Sequence, residues 1–188
     1  MKGRIMPYMD GLQVDAKVHN ALIYFNTGME RPLLKLQQVV MRSPDSPLEV
    51  AERELLAAYV SALNKCKYCR GVHTACAEAF GVKKGLVGEL VDDLEKADIE
   101  ERLKPIFRFA RKLTLAQHEI GQDDVQAIYD AGWSERALYD AVCVCCTFNF
   151  MNRFTIGLGL SDIPAEFERE GQMLKQVGYG VANLLKLK

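Results

Sequence analysis

Along almost the whole chain, apolar residues recur every three or four positions, the period of a helix with one face turned inward. Strict apolar–polar alternation with β-branched residues, which would mark strands, is nearly missing, so the pattern predicts an all-α protein. Helices are expected over about 15–27, stopping at Gly28, and over 33–41, with Pro32 at the first helical position, where a missing N–H costs little. The turn-forming run Ser43-Pro44-Asp45-Ser46-Pro47 leads into a helix over 48–63. There Val50, Leu55, Ala58 and Ala62 form an apolar stripe, and Glu49, Glu52 and Glu54 favour the N-terminal half. Asn64-Lys65 breaks the pattern, and a second helix carries Cys66 to Phe80 up to Gly81, so that 48–81 reads as a helical hairpin. Further helices are expected over 84–94, 101–115, 123–131, 134–157 and 164–187.

The chain of 188 residues is 49% hydrophobic, enough to bury one sizeable core, and no linker, repeat or low-complexity tract divides it. One helical-bundle domain over 1–188 is therefore expected. With 24 basic and 25 acidic residues and a net charge of −1, it lacks the positive excess that nucleic acid or an anionic membrane surface would favour. The apolar stretch 137–160 is interrupted by Asp140, Asn149, Asn152 and Arg153. It reads as a helix buried in a core or at a subunit interface rather than a membrane span. The first ten residues hold no apolar run of signal-peptide type, which points to the cytoplasm. In a reducing compartment six cysteines do not suggest a disulfide framework, so their grouping carries the information.

Cys66-Lys67-Tyr68-Cys69 followed by His73, with Glu54 upstream, is the most specific feature. Two cysteines three apart on a first helical turn share a face and suit a strained, readily reduced disulfide. Unpaired N–H groups at a helix start favour thiolate over thiol, and Lys65, Lys67 and Arg70 add positive charge. His73 lies one turn beyond Cys69 on the same face, able to exchange a proton with it directly or through a water. If the hairpin folds back about Leu63-Asn64, residues 54 and 73 face each other, and Glu54 would orient the imidazole and stabilise its protonated form.

A metal site is the alternative use of Cys66, Cys69, His73 and Cys76. On one helix Cys66 and Cys76 stand about 15 Å apart, beyond one tetrahedral zinc. Covalent haem attachment would want histidine where Arg70 stands. No metal or cofactor is expected, and Cys76 reads as a buried thiol. Cys143, Cys145 and Cys146 read as small core residues of the apolar helix. Arg153, amid apolar neighbours, should find a carboxylate or carbonyl partner if buried. His19 and His118 lack any local constellation and read as surface or capping residues.

A glutamate, eleven intervening residues, then C-x-x-C-x-x-x-H resembles the alkylhydroperoxidase D (AhpD) pattern of the carboxymuconolactone decarboxylase superfamily, met here by Glu54, Cys66, Cys69 and His73. A weaker likeness to its uncharacterised peroxidase-related branch extends to Glu52-Arg53-Glu54, Phe148-Asn149-Phe150-Met151-Asn152-Arg153 and Gly157-Leu158-Gly159. The resemblance implies an all-helical fold, trimers or hexamers, and hydroperoxide reduction without metal or haem. By the same resemblance, Cys69 is the peroxidatic thiolate, Cys66 resolves its sulfenic acid, and His73 with Glu54 relays the proton. A lipoyl- or thioredoxin-like dithiol would be the reductant. Tyr68 stands where the best-known members carry a second histidine. A general dithiol–disulfide oxidoreductase and a non-catalytic redox switch or scaffold are the alternative readings of the same pair.

Overall fold

A computed structural model describes residues 7–160 and 162–180, and every regular element among them is helical. The α-helices are α1 (Val18–Phe25), α2 (Glu30–Arg42), α3 (Val50–Leu63), α4 (Lys67–Ala79), α5 (Leu86–Asp92), α6 (Lys104–Leu115), α7 (Gln122–Asp130), α8 (Glu135–Gly157) and α9 (Phe167–Val177). Short 3₁₀ turns at Glu101–Leu103, Gln117–Glu119 and Pro164–Glu166 join them. The expected helices are all present, with shifted ends. Asn26, in the left-handed region at φ 44°, closes α1 before Gly28 is reached. Glu30 opens α2, leaving Pro32 inside its first turn, where N–H groups have no intrahelical partner in any case. The last helix, expected to reach 187, stops at Val177 because Gly178 turns at φ +62°; the final stretch from 181 lies outside the described residues.

The centre of the bundle is α3. Its residues from Leu55 to Val60 are buried without a break, because α2, α4, α5, α6 and α8 enclose it on all sides. Ala57 and Ala58 keep those contacts close, and Tyr59 packs on Phe107 of α6 at 5.3 Å between ring centres. The long helix α8 lies against α3 and contributes Val144, Cys145 and Phe148 to the same core.

Backbone hydrogen bonds fix the turn between α3 and α4. Cys66 N–H donates to Ser61 O at 2.9 Å and Lys65 N–H to Ala62 O at 3.0 Å, the paired bonds of a Schellman motif with Lys65 at φ 58° in the left-handed position. A lysine there carries a steric cost that glycine does not. The Lys65→Gly protein is expected to gain up to about 1 kcal/mol, a rise of about 2–4 °C in thermal midpoint, while Lys65→Val should melt lower than wild type.

Two glycines seat α9 on α4. A Cβ at Gly171 would lie 2.6 Å from the Ala75 carbonyl carbon and the Cys76 nitrogen, so here the helices meet backbone to backbone. A Cβ at Gly71 would fall 2.1 Å from the Phe167 ring. Past α9, the turn at Gly178 returns the chain inward, where Tyr179 N–H donates to Gln38 Oε1 at 2.7 Å.

Candidate active site

The antiparallel pairing of α3 and α4 places Glu54 against His73, as the hairpin symmetry predicted. Glu54 Oε2 lies 2.7 Å from His73 Nδ1, and the carboxylate is completely enclosed. A fully buried carboxylate needs partners for its other oxygen as well. Arg42, the last residue of α2, donates from Nη1 to Glu54 Oε1 at 2.6 Å, and the Tyr179 hydroxyl donates to the same oxygen at 3.0 Å. Arg42 is itself held by Leu174 O at 3.1 Å and Cys76 Sγ at 3.7 Å, and it stacks over the Tyr179 ring at 5.0 Å. Burial pushes the Glu54 carboxyl up, but the charges and hydrogen bonds of His73 and Arg42 outweigh it and hold it below the ordinary carboxylate range. Phe148 of α8 meets the His73 ring edge-on at 4.4 Å, leaving the imidazole little freedom to swing.

Cys66 and Cys69 are both buried and both free thiols, with Cys66 at the N-cap of α4. The direct partner of Cys69 Sγ is the Thr155 hydroxyl, 3.6 Å away on α8. The two sulfurs share their protons unequally. A hydrogen bond from Cys69 draws the Cys66 thiol down against the effect of burial, helped by the Cys69 backbone N–H and the Asn152 amide. The same hydrogen bond, with burial and the charge on Cys66, pushes Cys69 well up. Of the two sulfurs, Cys66 at the helix start is therefore the more readily ionised.

A cavity of about 1040 Å³ adjoins the site. Cys69 and His73 both line it, as do Tyr68, Phe148, Met151 and His19. Its far wall carries Lys17, which pairs with Glu166 at 2.8 Å and Glu170 at 3.1 Å, while Tyr68 donates its hydroxyl to Glu170 at 2.9 Å. His19 is thus half-buried in the cavity wall rather than a surface residue, and burial lowers its pKa. His118 is exposed beside Glu119, as expected.

Two further expectations change. Of the three cysteines on α8 only Cys145 is in the core; Cys143 is half-buried and Cys146 exposed. Successive helical residues point about 100° apart, so three positions within one turn cannot all face inward. Arg153 is exposed rather than buried and donates to the backbone and side-chain oxygens of Asn149, both at 2.8 Å. Cys76 is buried as expected, behind Arg42 and Glu54, and desolvation pushes its thiol far up. Among the described residues, no three His, Cys, Asp or Glu side chains converge as a metal site, and no helix is long and apolar enough to cross a membrane.

The sequence reading did not include Arg42, Thr155, Asn152 or Tyr179 in the site. Arg42 and Tyr179 carry no local signal, since long-range packing alone brings them to Glu54. Asn152 and Thr155, three apart in an apolar helix, had a usable one: polar groups on a buried face need a partner.

The pattern of the carboxymuconolactone decarboxylase family matches residues 29–98, from α2 through the hairpin and α5. An uncharacterized peroxidase-related protein from Silicibacter sp. TM1040 superposes with a TM-score of 0.73 at 28% identity, over 80% of this chain and 78% of that one. One from Ralstonia eutropha JMP134, described as an alkylhydroperoxidase AhpD core, gives 0.72 at 26% identity over 81% and 78%. A protein of unknown function from Agrobacterium tumefaciens, described as a putative antioxidant defence protein AhpD, shares the fold at a TM-score of 0.60 and 15% identity, over 74% and 92%. No curated protein matches the chain. The family pattern over residues 29–98 and the folds of these neighbours make the chain similar to AhpD-like members of the carboxymuconolactone decarboxylase family, with the Glu54–Cys66–Cys69–His73 spacing seated in the same helical fold.

Proposed function

We propose that the protein is a cysteine-based peroxidase that reduces hydroperoxides at Cys69. The observation that carries this reading is a dithiol whose inner cysteine shares one cavity with a histidine bound to a fully buried glutamate. A structural switch needs the sulfurs but not such a proton-handling group.

In the reaction, the proton of Cys69 passes to Cys66, and the Cys69 thiolate attacks the peroxide. An S–O bond forms, the O–O bond breaks, and the departing alkoxide takes a proton from His73 through cavity water, the Glu54 carboxylate supporting the ring as it carries that proton. Cys66 then attacks the sulfenic acid: the S–S bond forms, the S–O bond breaks, and the Cys66 proton leaves with the hydroxide as water. His73 is reprotonated from solvent. An external dithiol returns the disulfide to two thiols.

Burial favours this reading over general exchange with protein disulfides, since Cys66 and Cys69 are only 1% and 4% exposed. Among lipoyl- and thioredoxin-like reductants, it favours a slender lipoyl-type arm. Exposed Tyr139, Phe150 and Ile156 on α8 support self-association, with trimers or hexamers the expected forms.

Treatment of the reduced protein with one equivalent of an organic hydroperoxide should form a single disulfide between Cys66 and Cys69, seen by mass spectrometry of the digest, with one equivalent of alcohol released. Oxidation scattered over all six thiols, or a protein that stays reduced, would remove the proposal.

A further inference from the structure

Where α4 meets α8, Cys69 Sγ lies 3.6 Å from the Thr155 hydroxyl, and both side chains are buried. While Cys69 is a thiol, either group can donate. Once it is a thiolate the sulfur has no proton to give, and the hydroxyl must be the donor.

The end of its own helix holds Thr155 in place. Gly159, at φ +63°, is the left-handed residue of a Schellman motif: Leu160 N–H donates to Thr155 O at 3.1 Å and Gly159 N–H to Ile156 O at 3.0 Å. Tyr8 covers the turn. Its N–H donates to Leu158 O at 3.0 Å, and its ring would lie 2.9 Å from a Cβ at Gly159. The Thr155 backbone therefore has little freedom to draw back from the sulfur.

We propose that the Thr155 hydroxyl is a catalytic hydrogen-bond donor to Cys69, stabilising the thiolate that attacks the peroxide. This rests on the reading of Cys69 as the attacking sulfur and adds the group that bears its charge.

A buried thiolate is tolerable only if donors replace the water it has lost. The cavity offers Cys69 apolar company, since Val72, Phe148 and Met151 line it too. The ionisable groups around the sulfur are engaged elsewhere or oppose its charge. On α4, a charge on Cys66 disfavours one on Cys69, His73 is bound to Glu54 of α3, and Tyr68 donates to Glu170 of α9. Lys17, from the N-terminal segment, is paired with Glu166 and Glu170. Beyond α8, Asp162 adds negative charge near Cys66, with Lys67 3.9 Å from it. Arg153 on α8 is exposed and turned to Asn149. The Cys66 hydrogen bond and burial push the Cys69 thiol well up, and the Thr155 hydroxyl pulls against them.

A neutral donor in a fixed place suits the attack. It lowers the energy of the thiolate without the lasting pairing of a cation, and a sulfur lone pair stays free for the peroxide oxygen. No proton is transferred from Thr155. The proton of Cys69 passes to Cys66, and the hydroxyl keeps its own while donating to the charged sulfur.

The test is alkylation of Cys69 by iodoacetamide in the reduced full-length protein, followed by mass spectrometry of the digest from neutral to mildly alkaline pH. The reagent consumes thiolate, so its rate reports how readily Cys69 ionises. Thr155→Val is close in shape and lacks the hydroxyl; its Cys69 should react about tenfold more slowly at each pH, as expected on losing one hydrogen bond to a charged group. Thr155→Ala should be as slow although it leaves more room, which separates lost charge stabilisation from blocked access and serves if the valine variant does not fold. Thr155→Ser keeps the hydroxyl and should stay within about threefold of wild type. Wild-type rates in the valine or alanine variant, or a serine variant as slow as valine, overturn the proposal. Alkylation needs no peroxide, so the two failures are distinguishable: expected alkylation without hydroperoxide reduction removes the peroxidase reading, whereas reduction with alkylation indifferent to Thr155 removes only this proposal.

Discussion

Hydroperoxide consumption with excess dithiol is expected to fall by at least about 10³-fold in Cys69→Ser, because the variant keeps the site and removes only the nucleophile. Serine is close in size and retains a partner in Thr155, so the cavity and the Glu54–His73 pair should persist. An alcohol in this environment has no accessible anion, and the polarisable sulfur lone pair that attacks the O–O bond is gone. Cys66 does not line the cavity and so is not placed to take over the attack. The companion variant Cys66→Ser should behave differently: it should release about one equivalent of alcohol and then stall as a sulfenic acid on Cys69, trappable by a sulfenic-acid reagent. If wild type and Cys69→Ser consume peroxide equally slowly, the pair is not a peroxidase, and thiol exchange or redox switching becomes the reading to pursue.

Glu54→Gln should lose both activity and stability. The substitution is nearly isosteric but leaves the Arg42 guanidinium beside a neutral amide, and removing one member of a buried ion pair costs about 3–5 kcal/mol. It also takes the carboxylate from His73, so dithiol-dependent turnover should fall by about 10²- to 10⁴-fold, the usual worth of positioned acid–base chemistry. The pH dependence follows from the direction of the carboxyl's shift. Glu54 is held below its ordinary value of 4.5, so the stability it contributes is complete above that value and is lost as pH falls through the lower value it has in the folded protein. Denaturant melts should therefore show wild type well ahead of Glu54→Gln at pH 7 and the gap closing progressively below about pH 4.5. Equal stability at pH 7 would mean that an ionised Glu54 is not what holds Arg42 and His73 together.

Much of the geometry of the candidate site was legible because it is local. Glu54 and His73 face each other by the symmetry of two helices about a short turn, and Cys66, Cys69 and His73 share a face by helical spacing. The turn itself was visible as a break at Asn64-Lys65. Its left-handed lysine was not, since the αL position usually belongs to glycine or asparagine. Similarly, the apolar stretch over 137–160 announced a long helix, but composition did not tell which of its cysteines turn inward. Cys145 is buried and Cys146 exposed because α8 lies against α3 on one side only.

By itself the sequence determined the helical class, the hairpin, and the placement of the dithiol beside the facing Glu54–His73 pair, because each depends on contacts within a few turns of one helix or across one tight turn. Tertiary structure decided what those residues can do. Arg42 and Tyr179, brought in from α2 and from beyond α9, allow a fully buried Glu54 to stay charged. His19 and Lys17 become cavity wall only because the N-terminal segment lies close to α9. Thr155 reaches Cys69, and Asn152 reaches Ser61 and Asn64 at the end of α3, because α8 packs across the hairpin. The physical reason is the same in each case: a buried charge takes its partners from whichever chain segments are closest in space, and nothing in the local spacing of residues encodes which segments those are.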